Sequence, residues 1–197
     1  MAATLRFAGP QDAAAIQAIY APIVRDTPTS FEVDVPTIEE MRARMTETLE
    51  QYPWLVVERG DEVLGYAYAS RHRKRPAYQW SVDVSVYVNE QVRRAGVGRA
   101  LYTALLEILR LQGFRNAYAG IALPNLGSVG LHEALGFKAV GVYRGVGYKH
   151  GRWHDVGWWE LELRTDSEPP RPPRSPADLS GPEVREGLAA GMRFLLA

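Results

Sequence analysis

The chain switches between two hydrophobic periods, and the switches mark its elements. "SVDVSVYV", from Ser81 to Val88, alternates strictly: Val82, Val84, Val86 and Val88 share one side, Asp83, Ser85 and Tyr87 the other. That is the pattern of a strand with one face against helices. Further on, Val97, Leu101, Leu105, Ile108 and Leu109 recur at helical spacing until Gly113, a residue suited to ending a helix. Ahead of these, "TLRFA" reads as a short strand, and Ile16, Ile19, Tyr20 and Ile23 trace a helix with Asp12 expected as its cap. "TIEE" is a capping box, Thr37 with Glu40, opening a helix that carries Met41, Met45 and Leu49.

"WLVVERGDEVLGYAYAS" predicts a hairpin about Arg59-Gly60-Asp61, "NAYAGIAL" a strand, and "SVGLHEALGF" a short helix ending at Gly136. "AVGVYRGVGYKHGRWHDVGWWELEL" predicts a last hairpin turning near Gly151. The order β-α-α-β-β-β-α-β-α-β-β predicts a mixed α/β single domain over residues 1–163. Between Arg164 and Pro182 the composition changes, with six of the 13 prolines in that stretch. Residues 164–197 therefore read as an extended, flexible Pro-rich tail with some helical character at its end.

Charge and composition remove several function classes. Lys+Arg and Asp+Glu both number 23, so no net field draws the 197-residue chain to nucleic acid or to an anionic membrane. The absence of cysteine excludes disulfides, a thiol nucleophile and thiolate metal sites, and with four histidines no metal is expected. "MAATLRFAGPQD" lacks the apolar core of a signal peptide, and no run reaches the ~18 apolar residues of a membrane span. A cytoplasmic location is the expectation.

The candidate chemistry begins at "VRRAGVGRA". It joins the alternating strand to the long helix, where unsatisfied backbone N–H groups attract an anion. Gly96 and Gly98 permit close approach, and Arg93, Arg94 and Arg99 add charge. A dinucleotide fingerprint is excluded because Leu101 stands where its third glycine belongs, and no P-loop pattern occurs.

"VRRAGVGRAL" after a strand resembles the pyrophosphate loop of the GNAT N-acetyltransferase superfamily. "QYPWLV", "YQWSVDVSVYV", "LPN", "LHEALGF" and "GYKHGRWHDVGWW" are similar, in order over roughly residues 4–163, to its phosphinothricin and methionine-sulfone acetyltransferases. The resemblance implies a central twisted, mostly antiparallel sheet with one splayed strand pair and flanking helices. It implies acetyl-CoA as co-substrate, an amino-acid-type acceptor and a homodimer.

Residue by residue, it implies that Val86, Tyr87 and Val88 offer backbone to pantetheine, and that Arg93, Arg94, Ala95, Gly96, Val97, Gly98 and Arg99 hold the pyrophosphate. Asn125 and Ser128 fall in the family's second cofactor segment. The family's catalytic glutamate corresponds to Asp83, one methylene shorter by about 1.5 Å, and His132 to the residue that protonates the departing thiolate. Phe31, Arg73, Arg75, Tyr78, Ser85 and Val156 line the acceptor pocket by the same resemblance. Arginine forks suit a carboxylate and a polar tetrahedral head. A non-catalytic acyl-CoA-binding protein, or an acetyltransferase for a protein N-terminus or an aminoglycoside, are the alternatives.

Overall fold

The computed structural model describes residues 2–92, 94–165 and 169–195. Seven strands form one sheet: β1 (Ala3–Phe7), β2 (Trp54–Arg59), β3 (Glu62–Arg71), β4 (Ser81–Val88), β5 (Asn116–Leu123), β6 (Lys138–Lys149) and β7 (Arg152–Glu162). Their spatial order is β1-β2-β3-β4-β5-β7-β6, antiparallel everywhere except between β4 and β5. The helices are α1 (Ala13–Asp26), α2 (Ile38–Leu49), α3 (Val97–Gln112), α4 (Leu126–Ala134) and α5 (Gly181–Met192). The mixed α/β order expected through the second hairpin is observed, with α5 added.

Two apolar layers sandwich the sheet. On one face Val82, Val84, Ala117, Ala119 and Ile121 pack under α3, whose Leu101, Leu105, Ile108 and Leu109 are fully buried. On the other, Trp54, Val56 and Tyr66 pack against Ile16, Ile19, Tyr20 and Met45 of α1 and α2. These two helices cover β2 and β3. They leave the β4–β5–β7 part of that face to polar and aromatic side chains.

Local signals act as their chemistry dictates, with one correction. The Thr37–Glu40 capping box forms, Glu40 N–H to Thr37 Oγ1 at 3.1 Å and Thr37 N–H to Glu40 Oε2 at 2.8 Å. Asp12 does not cap α1 with its side chain. Its carboxylate accepts two hydrogen bonds from the Arg6 guanidinium, both 2.8 Å, and one from Gly9 N–H at 2.8 Å. A bidentate charged donor outbids the neutral amides of a helix end.

Of the tail expected to be extended and flexible, the described residues 169–195 lie docked on the body of the protein and end in α5. Proline lacks an N–H, but the carbonyls of the Pro-rich segment, from proline and arginine alike, remain acceptors, and donors in the body of the protein use them. Trp80 Nε1 donates to Arg171 C=O (2.9 Å), Gln51 Nε2 to Pro173 C=O (3.3 Å) and Gln112 Nε2 to Arg174 C=O (2.7 Å). Leu179 is buried in the α3-side core, and α5 then lies along α3. Gly187 and Gly191 sit so close to Ile108 and Ala100 that a Cβ at either place would collide. The apolar spacing of α5 is too short to announce a partner; the small residues that allow the contact carry no hydrophobic signal.

Candidate active site

The central feature is a break in the sheet. β4 and β5 pair only over Ser81–Asn116, Val82–Ala117 and Asp83–Tyr118, whereas β3 follows β4 to Val88 and β7 follows β5 to Leu123. Beyond Asp83 the facing edges of β4 and β5 therefore part, leaving backbone donors and acceptors that an extended, amide-bearing ligand can satisfy. The cleft is lined by Ser85, Val86 and Tyr87 of β4, by Gly120 and Ala122 of β5, and by Tyr102, Asn125, Ser128 and His132 from α3 and α4.

At its upper end stands the glycine loop. Arg94 (φ 67°) and Gly96 (φ 79°) both adopt left-handed conformations, which curl successive amides toward one point. The first helical bond of α3 is Ala100 N–H to Gly96 C=O at 2.9 Å, so the amides of Val97, Gly98 and Arg99 precede it and are available to an anion. The Val97 side chain is buried in the core, so only its backbone can serve. Arg94 and Ala95 are exposed, and the Arg99 guanidinium lies over the Phe194 ring at 4.4 Å. A Cβ on Gly96 would stand 2.6 Å from the Phe194 carbonyl oxygen, so the C-terminal segment abuts the loop. Arg93 lies outside the described residues. Asn125 caps α4 by accepting from Ser128 N–H at 3.1 Å, a structural role beside its place in the cleft.

Asp83 sits at the apex of the splay. Its Oδ1 is 2.6 Å from His72 Nδ1, with 29% of the Asp83 side chain and 12% of the His72 side chain accessible. A carboxylate only accepts, so Nδ1 donates, and in the neutral ring Nε2 then presents its lone pair. The His72 ring stacks on Tyr118 (4.5 Å, 19°) and meets Tyr78 and Trp158 edge-on at 6.1 and 6.3 Å. Burial pushes the Asp83 carboxyl above its ordinary value, and the His72 hydrogen bond and the Arg73 charge offset part of that rise. Trp158 lies flat because Gly120 opposite it has no side chain; a Cβ there would touch the indole at 3.3 Å.

His132 is arranged differently. It is buried at 2% exposure, and its Nδ1 donates to Ser128 C=O at 2.7 Å. Nε2 is 3.1 Å from the Tyr102 hydroxyl and accepts a hydrogen bond from it. Burial holds the imidazole below its ordinary pKa, with the Ser128 carbonyl pulling the other way. Both nitrogens are committed, and the ring is neutral.

The expected acceptor residues gather only in part. Ser85 faces the cleft beside Tyr68 of β3. The Arg73 guanidinium lies 5.8 Å over the Trp158 ring, Tyr78 borders His72, and Val156 pairs with Ala122 of the cleft. Phe31 packs on Gly147 and His154 of the last hairpin. The loop bearing it is clamped by buried Lys149, whose ammonium donates to the carbonyls of Val24 (2.6 Å) and Ser30 (2.7 Å). Arg75 is exposed, and among the described residues no hydrogen bond or ion pair ties its side chain to this group.

Sequence reading missed His72, Tyr102 and Tyr118. It also missed a hollow of about 550 Å³ on the same face, bordered by Trp54, Tyr68, Ser70, Arg71 and Lys74. His72 had a usable signal. Pairing the two alternating strands sets Ser70 opposite Asp83, and the residue two beyond Ser70 is then its diagonal neighbour on that face.

Comparison with known proteins agrees with this geometry. Residues 5–158 match the model of the acetyltransferase (GNAT) domain. A phosphinothricin N-acetyltransferase of Streptomyces viridochromogenes is 42% identical over 170 residues, covering 86% of this chain and 92% of that protein. A methionine sulfoximine/methionine sulfone acetyltransferase of Pseudomonas aeruginosa is 37% identical over 165 residues, 83% of this chain and 96% of its own. A phosphinothricin acetyltransferase of Sinorhizobium meliloti, solved with AcCoA, superposes with a TM-score of 0.83 at 35% identity, over 91% of this chain and 98% of that one.

Proposed function

The chain belongs to the GNAT acetyltransferase family, and from that premise we propose that it transfers acetyl from acetyl-CoA to the α-amino group of a small amino acid or analogue. Phosphinothricin, methionine sulfone and methionine sulfoximine are the acceptors to try first, since its relatives are named for them. The observation that carries this reading is the carboxylate of Asp83 at the point where β4 and β5 part. A thioester threaded into the cleft would end beside it.

The residues present fit acetyl-CoA. The free edge of β4 beyond Asp83 offers backbone to the pantetheine amides, and the amides of Val97 to Arg99 with Arg94 and Arg99 suit the pyrophosphate. When bound, the thioester supplies an activated acyl carbon. An α-ammonium must lose a proton before its nitrogen can attack, and the Asp83 centre takes it. Attack forms the N–C bond, the tetrahedral centre collapses with loss of the C–S bond, and the nitrogen's second proton passes through water to the departing thiolate. Tyr102, its own proton donated in a hydrogen bond to His132 Nε2, lines the cleft there and offers oxygen lone pairs to that water. Arg73 and Tyr78, with Ser85, Phe31 and Val156, bound the acceptor.

The same reading includes a homodimer and a cytoplasmic location. Val140, Val142, Tyr143, Val146, Tyr148 and Trp153 of the last hairpin are each at least 45% exposed, an apolar face suited to a second copy. Among the described residues no helix is long and apolar enough to cross a membrane.

The test is release of CoA thiol with a panel of amines: the three analogues, the standard amino acids, a peptide N-terminus and an aminoglycoside. Acetylation of one or more amino-acid-type acceptors is expected. Tight acetyl-CoA binding with no transfer to any amine would overturn the enzyme reading, and preference for the peptide or aminoglycoside would overturn the acceptor class.

A further inference from the structure

His72 is absent from every role assigned above, yet it is the closest partner of the catalytic carboxylate. Given the acetyl transfer proposed above, we infer that the base is a two-residue unit in which His72 Nε2 takes the ammonium proton and Asp83 orients and charge-stabilises the ring. The carboxylate, one methylene shorter than glutamate, is extended by the imidazole joined to it at 2.6 Å. With Nδ1–H committed to Asp83, the basic lone pair lies on Nε2, and among the described residues no protein donor is assigned to it. The ring is held in one orientation by Tyr118 beneath it and by Tyr78 and Trp158 at its edges.

The groups that face the pair come from every surrounding element. β3 and the turn after it supply Arg73 and Tyr78, β4 supplies Asp83, β5 supplies Tyr118, and β7 supplies Trp158, with Glu160 beside Tyr118. Asp83 is the carboxylate in contact with the ring, and Arg73 Nη1 is bound to the His72 carbonyl at 2.9 Å. A proton arriving on Nε2 makes an imidazolium whose positive charge is compensated directly by Asp83. The ring then returns that proton to water, and no covalent bond to the protein forms. Carboxylate and imidazole thus act as one proton-accepting centre.

The experiment compares His72→Asn, Asp83→Asn and the double variant. Asparagine at 72 keeps an N–H where Nδ1 stood, so the bond to Asp83 survives while the basic nitrogen is lost. His72→Asn is expected to lower kcat about a hundredfold, the scale of a lost positioned base, with KM for acetyl-CoA unchanged. Because the pair is one unit, the double variant should be no slower than the worse single one. Residual activity of His72→Asn should show a shifted acid limb in the pH profile of kcat/KM, since only the carboxyl remains to take the proton.

Turnover of His72→Asn within about threefold of wild type, with the limb unmoved, would assign the ring a positioning role and overturn the inference while acetyl transfer stands. A wild type that acetylates no amine overturns the functional reading and this inference with it. His72→Gln, tested in parallel, guards against a folding artefact: loss of turnover in both variants with melting temperatures near wild type supports the unit, and loss that tracks a melting drop overturns it.

Discussion

His72 and His132 stand in the same site with the same tautomer and opposite prospects. Each donates from Nδ1: His72 to a carboxylate at 2.6 Å, His132 to the peptide carbonyl of Ser128 at 2.7 Å. A carboxylate offers a full countercharge to the protonated ring, whereas a carbonyl offers only a dipole. The second nitrogen widens the difference. Among the described residues His72 Nε2 has no assigned donor, while His132 Nε2 is filled by the Tyr102 hydroxyl in a fully buried setting. One ring is built to gain charge, the other to stay neutral and hold a hydroxyl. Environment, and not residue type, divides the acid–base labour.

The largest expected effect breaks the charged side of that comparison. Asp83→Ala should lower kcat by roughly a hundredfold or more while acetyl-CoA affinity, read by calorimetry, is retained. Asp83→Asn should resemble it. Near-normal turnover by Asp83→Ala would place the base elsewhere. With Asp83 raised by burial, activity in the wild type should decline, as pH falls, at a pH above that of an ordinary carboxyl. The ionised form is the working one, so the sign is loss toward acid.

On the neutral side, His132→Gln should lower kcat by about tenfold, less than loss of a positioned acid or base, and leave the acid limb of kcat/KM in place. A shift of that limb would show His132 titrating with the reaction and dissolve the contrast. The pH dependence of stability sharpens it further. Burial lowers His132 in the folded state, so its contribution is intact above the unfolded value of about 6.5 and is lost as pH falls below it, toward the lowered folded pKa. The melting temperature of the wild type should therefore drop through that acid window, and His132→Gln should flatten the drop.

The smallest effect on the comparison comes from a control remote from both rings. Ending the chain at Arg164 strips α5 and Leu179 from α3 and should lower the melting temperature by roughly 5 °C or more, leaving both pH profiles unchanged. An unchanged melting temperature would mean that the docked tail adds no stability.

Most of the architecture was legible because its signals are local. Strict alternation in "SVDVSVYV", the capping box at Thr37 and the glycine after α3 each depend on residues within one element, and each appears as read. Asp12 was misread because its partner, Arg6, belongs to another element. Docking of the tail was not legible for a similar reason: proline content reports the conformation of a segment, and docking depends on donors such as Trp80 and Gln112 elsewhere in the chain.

The candidate site divides along the same line. The order of residues alone determined the loop of Gly96 and Gly98, the face that carries Asp83, Ser85 and Tyr87, and the helix that carries His132, because periodicity and backbone freedom are properties of neighbours in the chain. Only the tertiary structure decided what each nitrogen of the two histidines binds. That choice rests on hydrogen-bond partners brought from other strands and helices, and on burial that shifts a proton's preference without changing a single residue.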